Sequence, residues 1–332
     1  MPVRSNFGTT RLGDAVDLLT LQSGEMLVRI LTFGAVLQDV RLAGVAHSLT
    51  LGSPVLAAYE GPFASFGSVM GPVANRISNA RALLAGRQLH FEANLPGGHL
   101  LHSGACGLQH KVWSVIALSH SSVTLKTTAS DGEGGFPGAR SWEVCYTLTD
   151  PATLTLDIRA QTDALTLMNP VNHSYWNLDG SPTHDGHVLK IEAQNYLPLD
   201  EGLLPTGQVA PVAGTPLDFR QARAIGPQDA LDFNFCLTQG RGPLRGAARL
   251  RGRGGIEMKL ETTDPGLQVY DGKSIDSKGF VGHHGAPYVP RAGLALEAQF
   301  WPDAANNPHF PAITLDAAEL WHQTTRFSFR KP

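Results

Sequence analysis

The chain has 332 residues, 42% of them hydrophobic and 17% charged, with a formal net charge of −3. No basic stripe marks a nucleic-acid partner, and no apolar run approaches the roughly 18 residues of a membrane span. Cys106, Cys145 and Cys236 are widely spaced without a CxxC pair, which argues against a disulfide framework or a structural zinc. With no signal-like apolar N-terminus, a cytoplasmic protein is expected.

The 36 glycines and 22 prolines exceed the average of about 12% and are spread along the whole chain, which favours many short strands over long helices. Residues 26–34 (Met-Leu-Val-Arg-Ile-Leu-Thr-Phe-Gly) read as a strand. A short helix is expected at 55–59. Residues 83–91 hold Ala-Gly-Arg between apolar residues and read as a hairpin. Alternation with period two marks strands at 123–127, 154–160 and 256–262. A second short helix is expected at 219–224, and the Gly- and Arg-rich stretch 240–255 reads as an exposed loop. These elements predict an all-β fold, a large antiparallel β-sandwich with few short helices, as one domain over 1–332.

Residues 172–178, Asn-His-Ser-Tyr-Trp-Asn-Leu, fit neither a core segment nor a solvated loop. Buried polar groups need hydrogen-bond partners, and Tyr175 and Trp176 are too apolar to leave in water. Aromatic rings beside His and Asn suit a sugar, whose C–H faces stack while its hydroxyls take donors and acceptors. Two strands add polar-aromatic faces. Over 294–301, Glu297, Gln299 and Trp301 share one side, and over 266–270 Gln268 and Tyr270 do. Each alone reads as a half-buried strand with a wet outer face.

Other chemistry finds little support. His99 and His102, His184 and His187, and the adjacent His283 and His284 lack the helical context of a metal site, so no metal is expected. Gly132 to Gly138 lacks the Lys-Ser/Thr of a phosphate loop and reads as a turn. No Gly-x-Ser-x-Gly elbow occurs.

The ordered motifs resemble the aldose 1-epimerase, or galactose mutarotase, family. Residues 172–178 are similar to its catalytic-histidine signature. Gly71-Pro72-Val73-Ala74-Asn75-Arg76-Ile77 resembles its Gly-Arg-Val-Ala-Asn-Arg-Ile block, and His102-Ser103-Gly104 its Leu-His-Gly-Gly block. The 132–138 turn, Asp232-Phe233-Asn234-Phe235, Gly266 to Tyr270 and Leu296-Glu297-Ala298-Gln299 follow in the family's order. The resemblance implies a galactose mutarotase-like supersandwich with a sugar cleft on one sheet and no cofactor. It implies Glu297 as general base and His173 as general acid. His102, Arg76, Asp232 and Gln268, with Asn75 and Trp176, would bind the sugar. The partner would be a small aldose acted on by a monomer or weak homodimer.

Pro72, Ser103, Phe233, Ala298 and Asp271 depart from the family's usual residues. None removes a proton-transfer group, while Pro72, Phe233 and Asp271 are candidates for altered sugar preference. Three alternatives stand beside the epimerase: a hexose-6-phosphate epimerase, which needs a cationic cluster, a glycoside hydrolase using Asp232 and Glu297, and a non-catalytic carbohydrate-binding protein.

Overall fold

A computed structural model describes residues 3–332. Antiparallel strands dominate it, and the only α-helix among the described residues, Leu56–Tyr59, is one turn long. The first four strands, Val3–Thr9, Ala15–Ser23, Met26–Leu31 and Leu37–Leu42, form one sheet in chain order. A nine-stranded sheet runs Ser114–Leu118, Ser122–Ala129, Arg140–Thr149, Thr153–Thr162, Trp321–Arg330, Glu257–Thr262, Arg245–Arg251, Val188–Ile191, Arg223–Ala224. A six-stranded sheet runs Tyr175–Trp176, Leu294–Gln299, Gly266–Tyr270, Asp232–Cys236, Asn195–Tyr196, Ala210–Pro211. The all-β sandwich expected from the sequence is the architecture found.

The period-two pattern explains the large sheet. Arg140–Thr149 buries Trp142, Val144, Tyr146 and Leu148, and its neighbour Thr153–Thr162 buries Leu154, Leu156, Ile158 and Ala160. The register sets Val144 against Ile158 and Tyr146 against Leu156, so both apolar rows face one core. Each such side chain contributes about 1.5–3 kcal/mol of transfer free energy when fully buried. Across the sandwich, Leu267, Leu294 and Leu296 of the six-stranded sheet join the same core. That leaves the opposite face of their strands free to carry polar groups.

Three local expectations are corrected. Residues 219–224 form no helix: the Phe219 carbonyl accepts the Ile191 N–H, and the chain runs on into the edge strand Arg223–Ala224. Residues 240–255 are not simply an exposed loop, because Arg245–Arg251 is a strand within the nine-stranded sheet. Ala247, Ala248 and Leu250 are buried in it, with a bulge between Gly246 and Ala248. The strand Leu294–Gln299 is not half-wet but buried on both faces.

Candidate active site

Backbone register brings the site together. Gln268 lies opposite Glu297 on adjacent strands, and Asn234 lies opposite Gln268 on the next. On the other side Tyr175 pairs with Ala295 and Trp176 with Leu294. Extending that register by two residues sets His173 beside Glu297, where its backbone N–H donates to Ser68 O and its carbonyl accepts from Gly67 N–H. One row across the sheet thus carries His173, Glu297, Gln268 and Asn234.

A cleft of ≈ 630 Å³ opens over this row, within the size range of small-ligand sites. Glu297, His173, His102, Arg76, Asp232, Gln268 and Asn75 all line it, together with Tyr175 and Tyr270. A second cavity of ≈ 250 Å³, near Arg41, His47 and Tyr288, has no carboxylate in its lining and so no comparable acid–base pair.

Trp176 does not line the cleft. It is fully buried on the core side, its ring 4.8 Å from Phe327 and 5.7 Å from Phe329. Tyr175 and Trp176 are successive residues of a strand and point to opposite faces. Tyr175 takes the cleft side, its ring 5.0 Å from His173. Trp301 is likewise core, with Nε1 donating to Pro265 O. The expectation that residues 172–178 could not be a core segment is also overturned, since every one of them is buried. Their amide and hydroxyl side chains find internal partners, while His173 Nδ1 and Trp176 Nε1 have none within the protein. Asn172 Nδ2 donates to Gly67 O, Ser174 Oγ to Asn172 Oδ1, and Asn177 Nδ2 to Ser181 O and Ala292 O.

His173 Nε2 stands 3.4 Å from Glu297 Oε1, and both side chains are almost wholly shielded from solvent. Burial raises the Glu297 pKa well above the ordinary carboxylate value, with the nearby Asp232 adding to the rise and Arg76 opposing it. Burial pushes the His173 imidazole down to about 4. Each group is driven toward its neutral form, so the pair is poised to hold one proton between them.

The rest of the lining is fixed by its own contacts. His102 Nδ1 accepts from the Asn75 backbone N–H at 3.1 Å, so the neutral ring carries its proton on Nε2. Burial, then His173 and Arg76, hold His102 well below its usual pKa, in keeping with that neutral form. Asn75 and His102 both adopt left-handed backbone, with φ 58° and 50°. Ser103, φ 60°, stands where the family motif has Gly. Its hydroxyl donates to Val73 O and accepts from Val73 N–H, which supports the uncommon conformation. Gln268 Nε2 donates to Asp232 Oδ1 at 2.7 Å, and Arg76 Nη2 lies 3.7 Å from Asp232 Oδ2. Burial raises the Asp232 pKa, against the pull of Arg76, Lys273 and the Gln268 hydrogen bond.

Several residues singled out in the sequence are structural. His184 Nε2 meets Asp271 O, His187 Nε2 accepts from Leu178 N–H, and His283 Nε2 meets Gln38 O. Among the described residues no three His, Cys, Asp or Glu side chains converge as metal ligands. Pro72, Phe233 and Asp271 lie outside the cleft lining. Phe233 packs edge-on against Tyr196. Lining residues that the sequence did not reveal include His110, Leu203, Lys273 and Ser274. Lys273 and Ser274 lie just past the polar-aromatic strand Gly266–Tyr270, after Asp271 and Gly272, and that strand is the one signal that pointed their way.

The aldose 1-epimerase family model matches residues 17–328. Galactose mutarotase of Bos taurus is 37% identical over 339 residues, covering 98% of this chain and 98% of the relative. Aldose 1-epimerase of Escherichia coli is 32% identical over 335 residues, covering 96% of each. The crystal structure of an aldose epimerase homologue from C. elegans superposes with a TM-score of 0.89 at 29% identity, covering 96% of this chain and 99% of that one.

Proposed function

The chain belongs to the aldose 1-epimerase family, and we propose that Glu297 and His173 are the pair that moves its protons. The protein is an isomerase that interconverts the α and β anomers of a free hexose such as galactose or glucose. In the proposed cycle the one proton the pair shares is drawn from Glu297 onto His173 as the sugar binds, the Glu297 carboxylate then takes the proton from the C1 hydroxyl, and the His173 imidazolium protonates the ring oxygen. The C1–O5 bond breaks and an open-chain aldehyde forms. Rotation about C1–C2 turns the other carbonyl face toward the ring-closing hydroxyl. On closure His173 takes that hydroxyl's proton and Glu297 returns one to O1, which restores both groups.

The observation that carries this reading is the 3.4 Å approach of two shielded groups with opposite pKa shifts. Ring opening moves one proton onto Glu297 and one off His173. The pair's net charge is therefore the same before and after, and no uncompensated charge is created in a desolvated site. General acid–base catalysis contributes typically about 10²–10⁴-fold. Around the pair, the His102 Nε2–H, the Arg76 guanidinium, Gln268 and Asn75 supply donors to sugar hydroxyls, while Asp232 accepts from them. Tyr175 replaces Trp176 as the ring that meets the sugar. Asp232 is engaged by both Gln268 and Arg76, which favours a binding role over that of a hydrolase's second carboxylate.

The reading extends to one domain over residues 1–332 working without a cofactor, as a monomer or weak homodimer in the cytoplasm. One hydrophobic cluster running from Leu19 to Phe329 supports the single domain, and three free cysteines suit a reducing compartment. The test is polarimetry on fresh α-D-galactose and α-D-glucose with wild type and His173→Asn. Wild type should speed the approach to anomeric equilibrium, and the variant should lose at least a hundredfold while keeping its wild-type melting profile. A folded His173→Asn enzyme of undiminished rate would remove His173 from the mechanism.

A further inference from the structure

At the mouth of the cleft stands a cation that makes no close ion pair, although its charge helps to hold down the Asp232 pKa. Lys273 is exposed and faces the cleft, and among the described residues no carboxylate oxygen lies within ion-pair distance of it. Every other lysine of the chain is ion-paired: Lys111 with Glu133, Lys126 with Glu143, Lys190 with Glu192, Lys259 with Glu261, Lys278 with Asp276 and Lys331 with Glu25. The other permanent cation of the lining, Arg76, already faces Asp232. A lone lysine on a floppy loop would mean little, but this one sits on a braced turn. The buried Asp271 carboxylate accepts the Lys273 backbone N–H at 3.0 Å and the Leu231 N–H at 3.3 Å, and Arg291 Nη1 holds it at 3.0 Å. The Ser274 N–H donates to the Tyr270 hydroxyl at 2.8 Å. Gly272, with φ +69°, packs so closely under Gly293 O that a Cβ would fall 2.6 Å from it.

Position along the sheet gives the cation its meaning. Gln268 lies opposite Glu297, so the reacting C1 end of a sugar sits at that row. Tyr270 is two residues further along the strand, about 7 Å away, and lies opposite Asp232. The Lys273 turn lies beyond it. A pyranose with C1 at Glu297 and hydroxyls on Asp232 therefore points its far end at Lys273.

We infer that Lys273 makes this cleft a receptor for aldoses bearing an oxyanion, a carboxylate or a phosphate ester, at the end of the ring remote from C1. The inference rests on the aldose 1-epimerase reading of the same cleft. An exposed ammonium–oxyanion pair of this kind is worth about 1.4-fold to fivefold in affinity, and salt screens it.

The test compares anomerisation of galactose, galacturonate and galactose 6-phosphate, followed by exchange NMR at the anomeric proton, for wild type, Lys273→Met and Lys273→Glu. The expected result is a fall of about 1.4-fold to fivefold in the ratio of anionic to neutral kcat/KM in Lys273→Met, a larger fall in Lys273→Glu, and loss of the wild-type preference at high salt. A fall for only one of the two anions assigns the oxyanion to that source. If all three proteins turn over galactose with the same anionic-to-neutral ratio, the inference is overturned and the epimerase reading stands. A wild type inactive on galactose and on both anions overturns the two together.

Discussion

Replacing Glu297 by Gln keeps the shape of the side chain and removes its proton chemistry. The carboxyl is 2% exposed, Oε1 faces His173, and Oε2 has no hydrogen-bond partner in the protein. Loss of a general base of about 10²–10⁴-fold corresponds to about 2.7–5.4 kcal/mol of transition-state stabilisation. Stability should move the other way. The folded-state pKa of Glu297 lies well above its ordinary value of 4.5, so the native protein holds this proton more tightly than the unfolded chain does. The associated stability is complete below 4.5 and is lost as pH rises through the elevated folded value, at about 1.4 kcal/mol for each unit of elevation. Glutamine has nothing to lose over that window. Buried His173, depressed to about 4, loses stability as pH falls below 6.5, and that slope is common to both proteins. Polarimetry on fresh α-D-galactose should therefore show a collapse in rate. Thermal melts should show a gap in favour of Glu297→Gln that is near zero at pH 4 and opens toward pH 8. A variant within threefold of the wild-type rate, or melts that track each other at every pH, would refute the reasoning and move attention to Asp232.

Trp176→Ala should cost about 3–5 kcal/mol in urea unfolding, as expected for a fully buried indole, while the KM for galactose of the folded fraction stays within twofold. A raised KM at unchanged stability would restore the stacking role. In Gly266→Ala the new methyl would lie 2.6 Å from Asn234 Oδ1 and 3.0 Å from Gln299 O. Overpacking there should cost about 1–3 kcal/mol, read as a lower melting temperature, and displace the strand that carries Gln268. Asp271→Ala leaves Arg291 with Asp185 as its remaining carboxylate, so the loss should fall at the low end of about 3–5 kcal/mol. Denaturant titration measures that loss, and a raised KM would report the released turn at Lys273.

Strands were legible where alternation was long enough to count. Residues 123–127 and 154–160 lie within Ser122–Ala129 and Thr153–Thr162, and the hairpin at 83–91 turns at Ala85 and Gly86, between Arg81–Leu84 and Arg87–His90. The strand Arg245–Arg251 was hidden because its inner residues are mostly alanine and its outer ones arginine, a pattern that hydropathy reads as loop. The ordered motifs singled out residues that line the cleft, but they did not give the direction of the aromatic rings. Tyr175–Trp176 spans two residues, too few to show a period, and only pairing with Leu294–Gln299 decides which ring meets the cleft. Lys273 carried no motif, because its significance lies in the missing ion-pair partner and in the distant Arg291 that braces its turn.

The placement of Trp321–Arg330 also bears on how the protein is made. This strand pairs with Thr153–Thr162 on one side and Glu257–Thr262 on the other, at the middle of the nine-stranded sheet, and its Phe327 and Phe329 back Trp176. A ribosome adding about 5–20 residues per second must deliver more than 150 residues between the first of these strands and the last. Until then the large sheet stays split, with two open edges that invite pairing with other chains, and the segment carrying His173 has no floor. Nascent chains held just short of Trp321 should bind chaperones and no sugar, and release of the last strand should close the sheet and complete the site in one step.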